Sequence, residues 1–295
     1  MSALTQATQR VWWQLAICLT ALVLVFLSPI TALIRRSLTD ENVSHTVLIP
    51  IVVAWLLYTE RQKIFTSMQP GRGAGLAIGA TGLASAFYGY LVDKQFHAPD
   101  ALTFYILGFV LLCLGLFAFL FGRNVLLQGF FAFAFSFLFV PLPSFVLEPI
   151  ISWLQRGSAE ITAGIFGISG VPVLREALVF HLTRVSIEVA PECSGIRSSM
   201  ALLVLALLVA HFSFRPFWKK FVFVAAGLLM MIIKNGVRIA TLTLLANYVN
   251  PQFLFGSLHR QGGFVFFLLG LALLLPIFWW LRRGENSPVA AKGMA

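Results

Sequence analysis

Charge is scarce in this sequence. Asp, Glu, Lys and Arg make up 11% of its 295 residues, where soluble domains carry about 25%. A soluble chain of this length could bury a large core, but it could not hide so many long apolar runs. The composition excludes an ordinary soluble enzyme and predicts a polytopic α-helical membrane protein. Acid is scarcer than base, with 11 Asp and Glu against 21 Lys and Arg and a formal net charge of +10. No stretch of Lys and Arg is long enough to read as a nucleic-acid patch, so no nucleic-acid partner is expected. The excess follows the cytoplasmic bias of basic residues in membrane proteins.

Cysteine is nearly absent as well. The three cysteines are Cys18, Cys113 and Cys193, with no Cys-x-x-Cys spacing, which argues against a disulfide framework and a structural zinc site. Cys18 and Cys113 lie in apolar runs and are expected to be small buried hydrophobes. No His, Asp and Glu cluster has metal-ligand spacing, no glycine-rich phosphate loop follows a strand, and no Gly-x-Ser-x-Gly elbow occurs. No metal and no cofactor is predicted.

What the sequence has in abundance is apolar helix. Phe alone occurs 29 times, as suits lipid-facing and helix-packing surfaces. A span needs about 20 apolar residues, and eight segments qualify: 11–34, 45–59, 73–92, 101–121, 125–147, 197–213, 221–249 and 262–281. The first is too long for a signal-peptide core and lacks a clear cleavage site, so it reads as a retained span. The second is short and contains Pro50, but charge placement argues that it crosses. With a cytoplasmic N-terminus, the inner segments hold Arg10, Arg61, Lys63, Arg72, Arg123, Arg215, Lys219, Lys220, Arg282, Arg283 and Lys292. The short outer loops hold Arg35, Arg36, Lys94 and Arg260. The pair Arg35-Arg36 violates the rule locally and is partly offset by Asp40 and Glu41.

The predicted fold is therefore an all-α membrane protein of about eight spans, with a small extracytoplasmic insertion before the sixth. Residues 1–284 read as one integral-membrane domain and 285–295 as a polar, disordered cytoplasmic tail. The insertion, 148–196, begins with apolar residues spaced among polar ones through 169, which suggests an amphipathic helix on the outer surface. It then changes period. Val185-Ser186-Ile187-Glu188-Val189 alternates strictly, as a half-buried strand does, and 178–182 is a plausible partner with Thr183-Arg184 at the turn. This β-hairpin would deliver Cys193 to the membrane surface.

Three residues on the predicted outer side could do chemistry. Cys193 follows the hairpin in Ala190-Pro191-Glu192-Cys193-Ser194-Gly195-Ile196-Arg197-Ser198, just before an apolar run. A thiol at a helix start near cations is more acidic and more often ionised than a buried one. Inert burial is the plain alternative. Arg238 lies inside the seventh span, roughly 16 Å along the helix from Val249 at 1.5 Å per residue. A guanidinium within a span costs at least about 2.5 kcal/mol and usually faces a cavity or a partner. Asn235 and Lys234 stand three and four residues before it on the same side. Lys234 could instead lie nearer the cytoplasmic half as packing glue. His259, in the last outer loop, has the side chain best suited to proton transfer near neutrality. A lone loop histidine is more often merely solvated, and its interest comes from sharing a membrane face with the thiol.

Together the Cys193-Ser194-Gly195 entry to a span, Asn235-Gly236-Val237-Arg238-Ile239 in the next span and His259 resemble the exosortase/archaeosortase family. Ser44-His45 before a short span looks like that family's N-terminal region, so the resemblance runs over most of the chain. Histidine at the third position is similar to exosortases rather than archaeosortases. The resemblance implies a membrane cysteine transpeptidase of the bacterial inner membrane, with both termini cytoplasmic and an extracytoplasmic active site. It implies Cys193, Arg238 and His259 as catalytic residues, with Ser194, Gly195, Arg197 and Asn235 supporting them. The implied partners are membrane lipid and exported proteins bearing a PEP-CTERM-like signal, which is a short motif, an apolar helix and a basic tail. A surface amine would accept the product. Two rival classes remain at this level. A transporter or lipid-linked carrier would use Arg238 as a pathway charge, and a structural subunit of an envelope assembly would use none of the three.

Overall fold

The computed structural model describes residues 2–66, 68–96, 100–190, 195–254 and 263–283. Cys193, Ser194 and His259 fall outside these, as does the tail 285–295. The chain forms two compact units, Met1–Val146 and Leu147–Ala295.

The first unit opens with α1 (Ser2–Val25) and α2 (Leu27–Thr39). They are bent 69° to each other, and the cause is in the sequence. Pro29 has no N–H for the carbonyl of Val25, and its ring clashes with that carbonyl, so the helix breaks at Phe26. Two 3₁₀ turns lead to α3 (Ile49–Thr59), where Pro50 sits in the first turn and costs no hydrogen bond. A short α4 (Arg61–Ile64) precedes the long α5 (Arg72–Phe96) and α6 (Ala101–Phe121).

Helices α5 and α6 approach each other closely because glycine lines their contact. A Cβ added at Gly75 would lie 2.6 Å from the Cα of Phe119, and one at Gly115 would lie 2.8 Å from the amide of Gly79. Between apolar helices in lipid, such small residues let backbones meet and maximise dispersion contact. Ser85 adds a hydrogen bond across the pair, its Oγ donating to the carbonyl of Phe104 at 2.9 Å. At the helix ends, Trp12, Phe65 and Phe121 form an aromatic cluster with ring centroids 4.9–5.2 Å apart.

After α7 (Arg123–Gln128) and α8 (Phe130–Phe135), Pro141 and Pro143 interrupt the next predicted span. The chain turns by 91° into α9 (Ser144–Ser169). Asp100 holds this turn, its Oδ1 accepting from the amide and hydroxyl of Ser144 at 2.9 and 2.8 Å.

Among the described residues, the second unit holds the rest of α9, three short strands, three α-helices and a 3₁₀ turn at Pro251–Leu254. The strands are β1 (Leu174–Glu176), β2 (Val179–His181) and β3 (Ser186–Glu188). They form an antiparallel sheet in the order β1-β2-β3, with Phe180 opposite both Arg175 and Ile187. Alternation along the sequence did not mark β1. The helices are α10 (Ile196–Ser213), α11 (Phe217–Tyr248) and α12 (Gly263–Arg283). One core, including Leu202, Ala206, Phe223, Met231 and Leu274, joins these three helices. A second, with Phe166, Phe180, Val189, Ile239 and Ala240, packs the sheet between α9 and the C-terminal part of α11.

By length and composition, four of the described helices can cross a membrane, or up to six if each bent pair is one span. The eight predicted segments exceed that number by the two shortest, 45–59 and 197–213. Their helices, Thr46–Thr59 and Ser198–Ser213, are apolar but short. At 1.5 Å per residue, 14 residues reach about 21 Å against a hydrocarbon core of about 30 Å. The segment 125–147 is not one straight helix either, since the proline pair divides it. Cys18 is exposed and Cys113 is half-buried, which corrects the expectation that both are buried. Apolar side chains on a lipid-facing helix need no protein cover.

The glycine contact can be tested by contrast. Gly75→Leu should lower the detergent-solubilised protein's thermal stability, by about 1–3 kcal/mol for overpacking. Gly73→Leu, where a Cβ meets nothing within 4 Å, should leave the melting temperature unchanged.

Candidate active site

The site is organised by α11. Its 32 residues extend about 48 Å, well beyond the hydrocarbon core. Beside β1 and β3 no further strand pairs among the described residues, and open sheet edges do not occur in lipid. The sheet packs on Ile239 and Ala240, and the amide of Arg184 donates to Asn247 Oδ1 at 3.0 Å. The sheet therefore packs against α11 from about Ile239 onward, immediately beyond Arg238.

One helical turn further in, Asn235 is 1% exposed. Its Nδ2 donates to the Oγ of Ser158 on α9 at 3.0 Å, and Ser158 is fully buried. Thr162, the next turn along α9, donates its hydroxyl to the carbonyls of Ser158 at 2.8 Å and Gly236 at 3.2 Å. The helices come this close because each carries a glycine at the crossing. A Cβ at Gly236 would lie 2.6 Å from Ile161 Cβ, and one at Gly157 would lie 2.8 Å from Ile232 Cγ2.

The chain that carries Cys193 is anchored at both ends to this crossing. Before it, the carbonyl of Val189 accepts from Gln155 Nε2 of α9 at 2.7 Å, a buried bond. After it, Gly195 adopts a left-handed backbone with φ +67° and lies against Asn235. A Cβ there would sit 2.5 Å from Asn235 Oδ1. The Gly195 carbonyl then starts α10, accepting from the Ser199 amide at 2.9 Å and the Ser198 hydroxyl at 3.0 Å. Lys234, also 1% exposed, donates to Ser198 Oγ at 2.6 Å.

The structure thus brings Gly195 and Asn235 together and places Arg238, half-buried, one turn beyond. It does not describe Cys193, Ser194, His259 or the side chain of Arg197. Lys234 lies at the level of this site, contacting the start of α10, rather than in the opposite half of the helix. Sequence reasoning missed Gln155, Ser158 and Thr162. Their spacing of three and four residues was visible, but the helix was read as lying on a surface with its apolar side buried. Its buried side in fact carries these three polar residues together with Leu154, Ala159 and Phe166, while Trp153 and Ile168 are exposed. Among the described residues, no group of three or more His, Cys, Asp and Glu is placed to hold a metal.

Fold and site define a multi-pass helical membrane protein with a polar centre at one end of a long span. More particularly, the chain belongs to the transmembrane exosortase family. Residues 34–276 match that family's model, Transmembrane exosortase (Exosortase_EpsH). No curated protein and no solved structure matches the chain.

Two left-handed glycines provide a test of the Gly195 contact. Gly170 has φ +66° but open space around it. Alanine at either position should cost about 1–2 kcal/mol for the left-handed backbone. Gly195→Ala must also displace Asn235, so it should lower the melting temperature clearly more than Gly170→Ala does.

Proposed function

We propose that this chain is a membrane-embedded cysteine peptidase and transpeptidase. It cleaves a C-terminal sorting signal from exported proteins and transfers them to a surface amine. The observation that carries this reading is the packing of Gly195, two residues after Cys193, against Asn235, one turn before Arg238. Two residues of chain reach at most about 7 Å. The candidate nucleophile and the candidate cation are therefore attached to a single buried contact. Family membership supports the same reading.

In the proposed reaction, the Cys193 thiolate attacks a backbone carbonyl in the signal, and the carbonyl electrons move to oxygen. Arg238 stabilises that oxyanion. Collapse of the intermediate breaks the C–N bond, with His259 as the acid that protonates the leaving amine, and gives a thioester. An acceptor amine or water, deprotonated by His259, then attacks the thioester and releases Cys193 as thiolate. Ser194, Gly195, Arg197 and Asn235 shape the loop around the nucleophile. Cationic neighbours favour the thiolate without any carboxylate partner.

The membrane arrangement we propose has eight spans, with the short helices Thr46–Thr59 and Ser198–Ser213 crossing alongside the longer ones. Both termini face the cytoplasm, and the sheet lies on the extracytoplasmic side of the bacterial inner membrane. Residues 1–284 then form one integral-membrane domain. A substrate helix in the same bilayer would present its signal near Arg238, where α11 leaves the hydrocarbon.

The test is co-expression with a candidate sorted protein. Wild-type chain should remove the substrate's C-terminal tail, read by mass spectrometry of the substrate, and Cys193→Ala should leave it attached. Arg238→Ala should reduce tail removal by roughly 10²- to 10³-fold, as loss of an oxyanion donor does. Tail removal unchanged by Cys193→Ala would falsify the catalytic reading, and a transporter or structural role would then take its place.

A further inference from the structure

Lys234 occupies a position that stability does not explain. It is 1% exposed, and it lies four residues from Arg238, where like charges on a helix repel. Its ammonium donates to a neutral hydroxyl, Ser198 Oγ, at 2.6 Å. From Ile196 to Arg283 the sequence has no Asp or Glu, so α10, α11 and α12 supply no carboxylate to neutralise it. Burying a cation with no countercharge from its own or the neighbouring α10 and α12 helices is costly. Nevertheless the surroundings are shaped for the lysine. Gly270 on α12 leaves room for its stem, since a Cβ there would lie 3.2 Å from Lys234 Cδ.

The hydrogen bonds point in one direction. Lys234 donates to Ser198, and Ser198 donates to the carbonyl of Gly195 at 3.0 Å. That carbonyl belongs to the left-handed residue at which the Cys193 segment becomes α10. We infer that Lys234 is a positioning residue for Cys193, acting through Ser198 to fix the Gly195 carbonyl and hence the point at which the segment bearing the nucleophile joins α10. The inference rests on the peptidase reading for its purpose. In this role Lys234 acts through Ser198 rather than on the reacting atoms. Its effect is on geometry, so it should alter the rate of reaction at the thiol more than the binding of substrate.

The test uses full-length protein carrying Cys18→Ala and Cys113→Ala, so that Cys193 is the remaining thiol. Iodoacetamide alkylation of Cys193 is followed in Lys234→Met, Ser198→Ala and Ser198→Thr, beside thermal unfolding and the kcat and KM of tail removal. Lys234→Met and Ser198→Ala should slow alkylation and lower kcat by roughly tenfold to a hundredfold, the scale of small misplacements near a reacting centre, with KM little changed. Lys234→Met should unfold no earlier than its parent, and Ser198→Thr, which keeps the hydroxyl, should recover most of the lost rate. A folded Lys234→Met with parental alkylation and kcat overturns the inference. If that variant does not fold, Ser198→Ala decides it by the same measure. Tail removal that survives Cys193→Ala would instead overturn the peptidase reading, so the two failures are distinct.

Discussion

The buried hydrogen bond from Asn235 to Ser158 joins α9 to α11, and the polar end of the second unit is assembled around it. An amide buried this deeply must find partners, because an unmade bond there costs about 1–3 kcal/mol. Ser158 supplies one, and glycines at 157 and 236 let the helices close to the distance the bond needs. With α9 and α11 fixed together, Gln155 can hold the end of β3, and Gly195 can rest on the other side of the same amide. Loss of this crossing would release both ends of the segment between the sheet and α10.

The same crossing explains how polar groups are tolerated in so apolar a chain. Polar residues in lipid face the protein interior or a cavity, and here they converge from three helices onto one level of α11. The sheet packs on the next turn of α11, at Ile239 and Ala240.

Much of this was legible in the residues. The apolar runs, the change to a two-residue period near Ile187 and the isolation of Arg238 within a hydrophobic segment all follow from composition and spacing. The positions of Pro29, Pro141 and Pro143 were visible too, but hydropathy alone does not say whether a proline bends a span or ends it. That is why the sequence reading of spans at 11–34 and 125–147 said nothing of the bends within them. The polar stripe Gln155, Ser158 and Thr162 was misread for a similar reason. In a soluble helix the polar side faces water, whereas in a membrane protein it can face the core.

The sequence by itself determined the class of protein, the run of apolar helices and the residue types able to do chemistry, because these depend on local composition and period. Only the tertiary structure decided that Gly195 meets Asn235, that Lys234 reaches Ser198 and that the sheet packs on α11 just beyond Arg238. Gly195 and Asn235 are separated by a full helical hairpin. Their meeting depends on how closely α9, α10 and α11 pack, which is set by glycines and small hydroxyls at the crossings and has no periodic signature along the chain.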